Sequence, residues 1–174
     1  MSVDIGKVRD NGAISVLDTE YLVVHAERIP IGTSYELQAL RASELCRRWG
    51  AQCCIDVTGV GAGGHALGSD SIIKLYRDKI SNLREIAWNT SSKEKMVQAL
   101  SVNIEQHRLK IPSQFSELIH ELNVYEYSYR NGLYRYSAPS GQRDDLTSSL
   151  MMANLCAKNN WVSTGGSPLS MAYA

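Results

Sequence analysis

The 174-residue chain suits one domain that buries a core without staples. Its 18 basic and 18 acidic residues cancel, which argues against holding nucleic acid by bulk charge alone, since such domains are usually basic. With 44% hydrophobic and 21% charged residues the composition is globular, no apolar run approaches the roughly 18 residues of a membrane span, and the N-terminus lacks a signal-peptide pattern, so an aqueous, intracellular setting is expected.

Residues 2–5 read as a short strand ending at Asp4, with a turn at Asp10-Asn11-Gly12. Residues 13–17 and 21–29 read as a hairpin bent at Asp18-Thr19-Glu20. Ser34 then caps a helix to Trp49, closed by Gly50, with Leu37, Leu40, Ala42 and Leu45 on one face and Arg41, Arg47 and Arg48 outward. Residues 51–57 are apolar except for Gln52 and Asp56 and suit a central strand covered on both faces. A glycine-rich turn at 59–64 follows, then a helix around 71–79 and a strand near 83–88. Ser91 or Ser92 caps a helix to about Gln106, with Met96, Leu100 and Ile104 at spacing four. Residues 108–111 read as a short strand stopped by Pro112, and Ser113 starts a helix carrying Phe115, Leu118, Ile119 and Leu122.

Residues 124–129 and 133–136 flank Asn131-Gly132, a strong two-strand turn signal. Asp144-Asp145 opens a last helix with Leu146, Leu150, Met151, Ala153 and Leu155. Past Lys158 the composition turns to Asn, Ser, Thr, Gly and Pro, so a domain over 1–158 and a loose tail over 159–174 are expected. Three strands, then helix–strand alternations and a final helix predict an α/β fold. An antiparallel meander would join parallel strands in a mixed sheet with helices on both faces. Cys46, Cys53, Cys54 and Cys156 show no C-x-x-C spacing and read as buried free thiols, with Cys53 and Cys54 on opposite strand faces.

Asp56 ends a buried strand, where a carboxylate needs a partner. If the fold brings Asp4 and Asp145 to it, three carboxylates repel one another unless cations neutralise them. Hard divalent ions take such oxygen ligands, and a pair about 4 Å apart supports phosphodiester hydrolysis. Singly, each acid has an ordinary reading: Asp4 as a solvated terminal residue, Asp144 or Asp145 as a helix N-cap. Gly59, Gly61 and Gly64 also satisfy the dinucleotide fingerprint G-x-G-x-x-G after a strand. Against that reading, Asp56 would set a negative charge near the pyrophosphate. The next strand ends Trp88-Asn89-Thr90, with no acid for the ribose hydroxyls.

Asp4-Ile5-Gly6 with Asp10 six residues on, Ile55-Asp56-Val57-Thr58-Gly59-Val60-Gly61, and Tyr136-Ser137-Ala138-Pro139 followed by Arg143-Asp144-Asp145-Leu146 form an ordered series. Ser92-Lys93-Glu94-Lys95, Leu109-Lys110-Ile111-Pro112 and Glu121-Leu122 lie between them. Together they resemble the C-terminal nuclease domain of phage large terminase subunits, in the RNase H-like superfamily. The resemblance implies an RNase H-like fold and a two-metal endonuclease that cuts double-stranded viral DNA during genome packaging. It assigns Asp4, Asp56 and Asp145 to catalysis and, with Asp144, to two Mg²⁺ or Mn²⁺ ions, with Asp10 as an auxiliary acid. It also implies an ATPase motor, a small terminase and a portal as partners, in the cytoplasm of an infected bacterium. No G-x-x-x-x-G-K-[ST] is found, so the expectation is a nuclease domain apart from its ATPase. Lys93, Lys95, Arg130 and Arg135 are candidate phosphate contacts, and His65, after the glycine turn, could face the substrate; a solvated helix face is the competing reading for the two lysines. The tyrosine-rich hairpin is a further surface that could lie against DNA. A Holliday-junction resolvase-like nuclease and a catalytically inert assembly module of the same fold are the alternatives.

Overall fold

The computed structural model describes residues 1–6, 10–58, 69–130 and 132–158. Strands β1 (Ser2–Asp4), β2 (Gly12–Leu17), β3 (Val23–Ile29), β4 (Cys53–Asp56) and β5 (Leu83–Ile86) form one sheet in the order β3-β2-β1-β4-β5. The first three pair antiparallel, while β1–β4 and β4–β5 pair parallel. The expected meander joined to parallel strands is present. The alternation of buried side chains separates two cores. Val3, Ile14, Val16 and Ile55 point to α1 (Tyr35–Trp49) and α2 (Ser69–Arg77), where Leu45, Ile72 and Tyr76 meet them. On the opposite face lies α5 (Asp145–Lys158), backed by α3 (Thr90–Glu105) and α4 (Ser116–Val124); Ala13, Met96, Leu100, Leu118, Leu150 and Met151 form that core. Strands β6 (Glu126–Arg130) and β7 (Leu133–Ser137) make a separate ribbon.

Helix α5 approaches β1 closely at Ser149, where the inward side chain is small. The Ser2 hydroxyl donates to the Ser149 carbonyl at 2.6 Å, and the two hydroxyls lie 2.9 Å apart, all buried. Nearer the helix C-terminus, Cys156 is disulfide-bonded to Cys54 on β4. This corrects the expectation of four free thiols: Cys54 and Cys53 do face opposite sides, and the side taken by Cys54 is the one α5 covers. Cys46 and Cys53 remain unbridged and buried in the other core.

Several boundaries and faces differ from expectation. In α1 the buried stripe is Gln38, Ala39, Ala42, Ser43, Leu45 and Cys46, while Leu37 and Leu40 are exposed. The stripe has helical spacing but opens on a polar residue, because the Gln38 amide brackets the chain after β1. It accepts from the Gly6 N–H at 3.0 Å and donates to the Gly6 and Thr33 carbonyls at 3.3 and 2.8 Å. Helix α3 is capped by Asn89, with Ser92 completing a reciprocal capping box. Ile104 in α3 is exposed rather than buried. The segment predicted as a strand at 108–111 makes only a single bridge, Leu22 to Lys110. Helix α4 begins at Ser116 rather than Ser113, after a turn closed by the Phe115 N–H on the Pro112 carbonyl at 3.0 Å.

Candidate active site

Strand register brings the first two predicted acids together. Asp4 pairs with Ala13, and Ala13 with Arg28. On the other side Val3 pairs with Ile55, so the next step of that parallel register sets Asp56 beside Asp4. Asp56 in turn pairs with Ile86. One transverse row therefore reads Arg28, Ala13, Asp4, Asp56, Ile86. Alternation along β1 and β4 turns Asp4 and Asp56 to the α5 face, since Ser2 and Cys54, two residues earlier, bond to Ser149 and Cys156 there.

Both carboxylates sit where backbone is pinned. The Asp56 carboxylate accepts from the Thr58 N–H at 2.7 Å, and the Thr58 hydroxyl accepts from the Trp88 N–H at 2.7 Å. That ties the end of β4 to the chain leaving β5. Around Asp4 the chain turns so tightly that a Cβ on Gly12 would lie 2.6 Å from the Gly6 nitrogen and 2.8 Å from the Asp4 carbonyl oxygen. Glycine is required at this close approach.

Asp145 opens α5 on the same face, toward the β3 end of the row. Its Oδ2 lies 3.4 Å from Arg28 Nε. The two atoms are within ion-pair range but are not aligned for a hydrogen bond. Burial raises the Asp145 pKa, nearby Glu121 adds to the rise, and Arg28 opposes it. Among the described residues no group of three or more His, Cys, Asp or Glu side chains is gathered as a metal cage; Asp145 faces the arginine. Asp144 is the residue before α5: its carbonyl accepts from the Ser148 N–H at 2.8 Å, and its carboxylate accepts from the Ala138 N–H at 3.4 Å.

Glu121 on α4, only 2% exposed, was not among the predicted site residues. Its Oε2 accepts from the Thr147 N–H at 2.9 Å, so a side chain from another helix satisfies an orphan donor of the first turn of α5. Its Oε1 accepts from Arg28 Nη2. A charged residue three positions after buried Leu118 was the available signal, because an acid on a core stripe needs a partner. Gln38 was missed for the same reason, as a polar side chain at the head of the buried stripe of α1.

Of the remaining candidates, two lie on α3 and two on the β6–β7 ribbon. Lys93 is half-buried with its Nζ 5.9 Å from the Tyr125 ring centroid, and Lys95 and Arg135 are exposed. The register of the β6–β7 ribbon places Tyr127 opposite Tyr136 and Tyr129 opposite Tyr134, so all four rings share one face. Tyr129 and Tyr134 have centroids 5.0 Å apart, and Tyr127 and Tyr129 are 67% and 63% exposed. Asp10 is exposed. His65, the glycine turn at 59–64, Asn131 and the side chain of Arg130 lie outside the described residues.

A mixed five-stranded sheet of this order, with helices on both faces and acids at the ends of two adjacent parallel strands, defines an RNase H-like domain. Residues 1–156 match the family model described as Terminase RNaseH-like domain, and the chain belongs to that family. Among solved structures it is similar to the large terminase nuclease of the thermophilic phage G20c with bound magnesium. That match has a TM-score of 0.74 and 24% identity, over 88% of this chain and 78% of that one. The large terminase nuclease domain of Thermus phage P74-26 matches with a TM-score of 0.69 and 24% identity, over 87% and 75% of the two chains. The nuclease domain of the large terminase subunit gp2 of bacterial virus Sf6 matches with a TM-score of 0.65 and 14% identity, over 88% and 86%. No curated protein matches the chain. At these identities the likeness to solved structures is one of fold.

Proposed function

We propose that this domain is a metal-dependent endonuclease that cuts double-stranded viral DNA during genome packaging. The observation that carries the reading is the transverse row, which sets Asp4 and Asp56 side by side on the face where α5 begins with Asp145. Membership of the terminase RNaseH-like family supports it, as does the magnesium bound by the G20c nuclease and the cobalt bound by the same protein.

The donor set fits hard cations. Asp4, Asp56 and Asp145 offer only carboxylate oxygens, the ligands of Mg²⁺ and Mn²⁺. Asp4 and Asp56 would hold the ions, Asp145 would complete the set, and Asp144 is the reserve carboxylate beside it. When bound, divalent ions supply Lewis-acid polarisation of the phosphate and a nucleophilic water near neutral pH. The chain's own part is to fix the two strand-end carboxylates by pinned backbone, through Gln38 and Gly12 at Asp4 and through Thr58 at Asp56. Lys95, Arg135 and the half-buried Lys93 act as phosphate contacts that position the duplex without reading its sequence. The tyrosine face of the ribbon lies against the DNA beside them. In the assembled system the ATPase motor, small terminase and portal would hold the DNA, in the cytoplasm of the infected host. This accounts for a domain of zero net charge.

A plasmid-nicking assay with Mg²⁺ or Mn²⁺ tests the reading. Wild type is expected to cut only with metal, and Asp4→Asn, Asp56→Asn and Asp145→Asn should each lose about 100-fold or more, beyond the roughly 10–100-fold typical of outer-shell partners. Metal-dependent cutting that survives Asp56→Asn and Asp145→Asn would sink the site assignment.

A further inference from the structure

We infer that Arg28 is a positioning residue for Asp145, held in place by Glu121 and Glu117; this rests on reading Asp145 as a metal ligand. Arg28 lies on β3 in the same transverse row as Asp4, two strands away, or about 10 Å. Its two terminal nitrogens are committed to glutamates: Nη1 donates to Glu117 Oε2 at 2.5 Å, and Nη2 donates to Glu121 Oε1. The fork is thereby fixed, and Nε is presented to Asp145 Oδ2 at 3.4 Å without an aligned hydrogen bond.

That arrangement has two consequences. Three carboxylates share one guanidinium, so the cluster carries an excess of negative charge at the end where Asp145 sits. Arg28 compensates part of it and keeps Asp145 on the sheet face, while the lone pairs of Oδ2 are not taken by a directed bond. A lysine would supply a similar charge but not the planar fork that two glutamates hold at once. Glu121 contributes twice, because its other oxygen caps the first turn of α5 through the Thr147 N–H. One buried carboxylate thus fixes both the helix start and the arginine that faces the first residue of that helix. Beside them a cleft of about 500 Å³, lined by Asn11, Glu117, Arg143 and Leu146 among others, opens against Arg28. A purely structural ion cluster would affect folding alone, whereas a positioning role also sets cation affinity.

Mn²⁺ binding by calorimetry, on protein shown to unfold cooperatively, separates these. Arg28→Met is expected to raise the Kd for Mn²⁺ about 10-fold, the lower end for an outer-shell partner, with Arg28→Lys in between. If Arg28→Met fails to fold because Glu121 is left buried and unpaired, the double variant Arg28→Met with Glu121→Gln removes both charges and keeps an acceptor for Thr147. It should show the same weakening. Unchanged Mn²⁺ affinity in a folded Arg28 variant, with Asp145→Asn clearly weakened, would overturn the positioning role and leave the metal reading standing. Unchanged affinity in Asp145→Asn would overturn both.

Discussion

The close seating of α5 on β1 can be tested by enlarging one side chain. Ser149 is fully buried against Ser2, with hydroxyls 2.9 Å apart and the Ser2 hydroxyl on the Ser149 carbonyl at 2.6 Å. Ser149→Leu inserts a branched four-carbon group where there is room for a hydroxymethyl. Overpacking costs about 1–3 kcal/mol, and loss of the buried hydroxyl pair adds roughly 1 kcal/mol. A total of about 2–4 kcal/mol corresponds to roughly 5–15 °C in melting temperature for a domain of this size. Ser149→Ala removes only the hydroxyl pair, because the carbonyl acceptor is backbone, and should cost about 1 kcal/mol. Thermal unfolding of the three proteins, followed by circular dichroism, measures both. The leucine variant should also lose metal-dependent nicking at a temperature where it is folded, since lifting the helix shifts Asp145 relative to Asp4 and Asp56, while the alanine variant keeps it. Equal melting temperatures for the leucine and alanine variants would refute the close approach.

Other expectations follow from named contacts. Burial favours the neutral form of Glu27, but hydrogen bonds from Arg41, at 2.8 Å to each carboxylate oxygen, and the His25 ring 3.0 Å away outweigh it, holding the pKa at about 2 against an ordinary 4.5. A depressed carboxyl contributes stability above its ordinary pKa and loses it as pH falls toward 2. Arg41→Met should therefore lower the melting temperature at pH 7 and flatten its decline between about 4.5 and 2; an unchanged profile would count against the pairing. Cys54 and Cys156 are 102 residues apart, and a bridge closing such a loop is worth up to about 4.7 kcal/mol. Cys156→Ser should melt well below wild type without reductant and alongside it with reductant, and identical curves for wild type in both conditions would contradict the bridge. Leu150→Ala, at a fully buried position, should cost about 2–5 kcal/mol, measured by urea unfolding. Gly12→Ala should impair folding, because its Cβ would fall 2.6 Å from backbone; a full-stability variant would contradict that geometry.

Elements with strong local signals were legible in the sequence. Apolar runs with acids at their ends gave β1 and β4, Asn131-Gly132 gave the ribbon, and Ser34 with Gly50 gave both ends of α1, where the structure shows a side-chain cap and a left-handed glycine. Asp4, Asp56 and Asp145 were each picked out, and the adjacency of the first two follows from parallel pairing that element order implied. The polar framework was not legible, because Gln38 brackets Gly6, 32 residues away, and Arg28 pairs with Glu121, 93 residues away. Nothing local in those side chains distinguishes a buried bracket from a solvated one. The Cys54–Cys156 bridge was hidden for the same reason: adjacency of Cys53 and Cys54 fixes opposite faces, but only the path of α5 decides which face finds a sulfur.

That path also settles how the domain can deform. Helix α5 is fastened near its start to β3, at its middle to β1 and near its end to β4, by an ion pair, a hydroxyl pair and a disulfide. Three attachments to three different strands leave the helix no independent slide, roll or tilt. Helix and sheet are then tied as one body, and the acids they carry keep their spacing. Any rearrangement must come from parts outside this triangulated frame. The β6–β7 ribbon, which pairs only with itself among the described residues and meets α3 through β7, lies outside that frame.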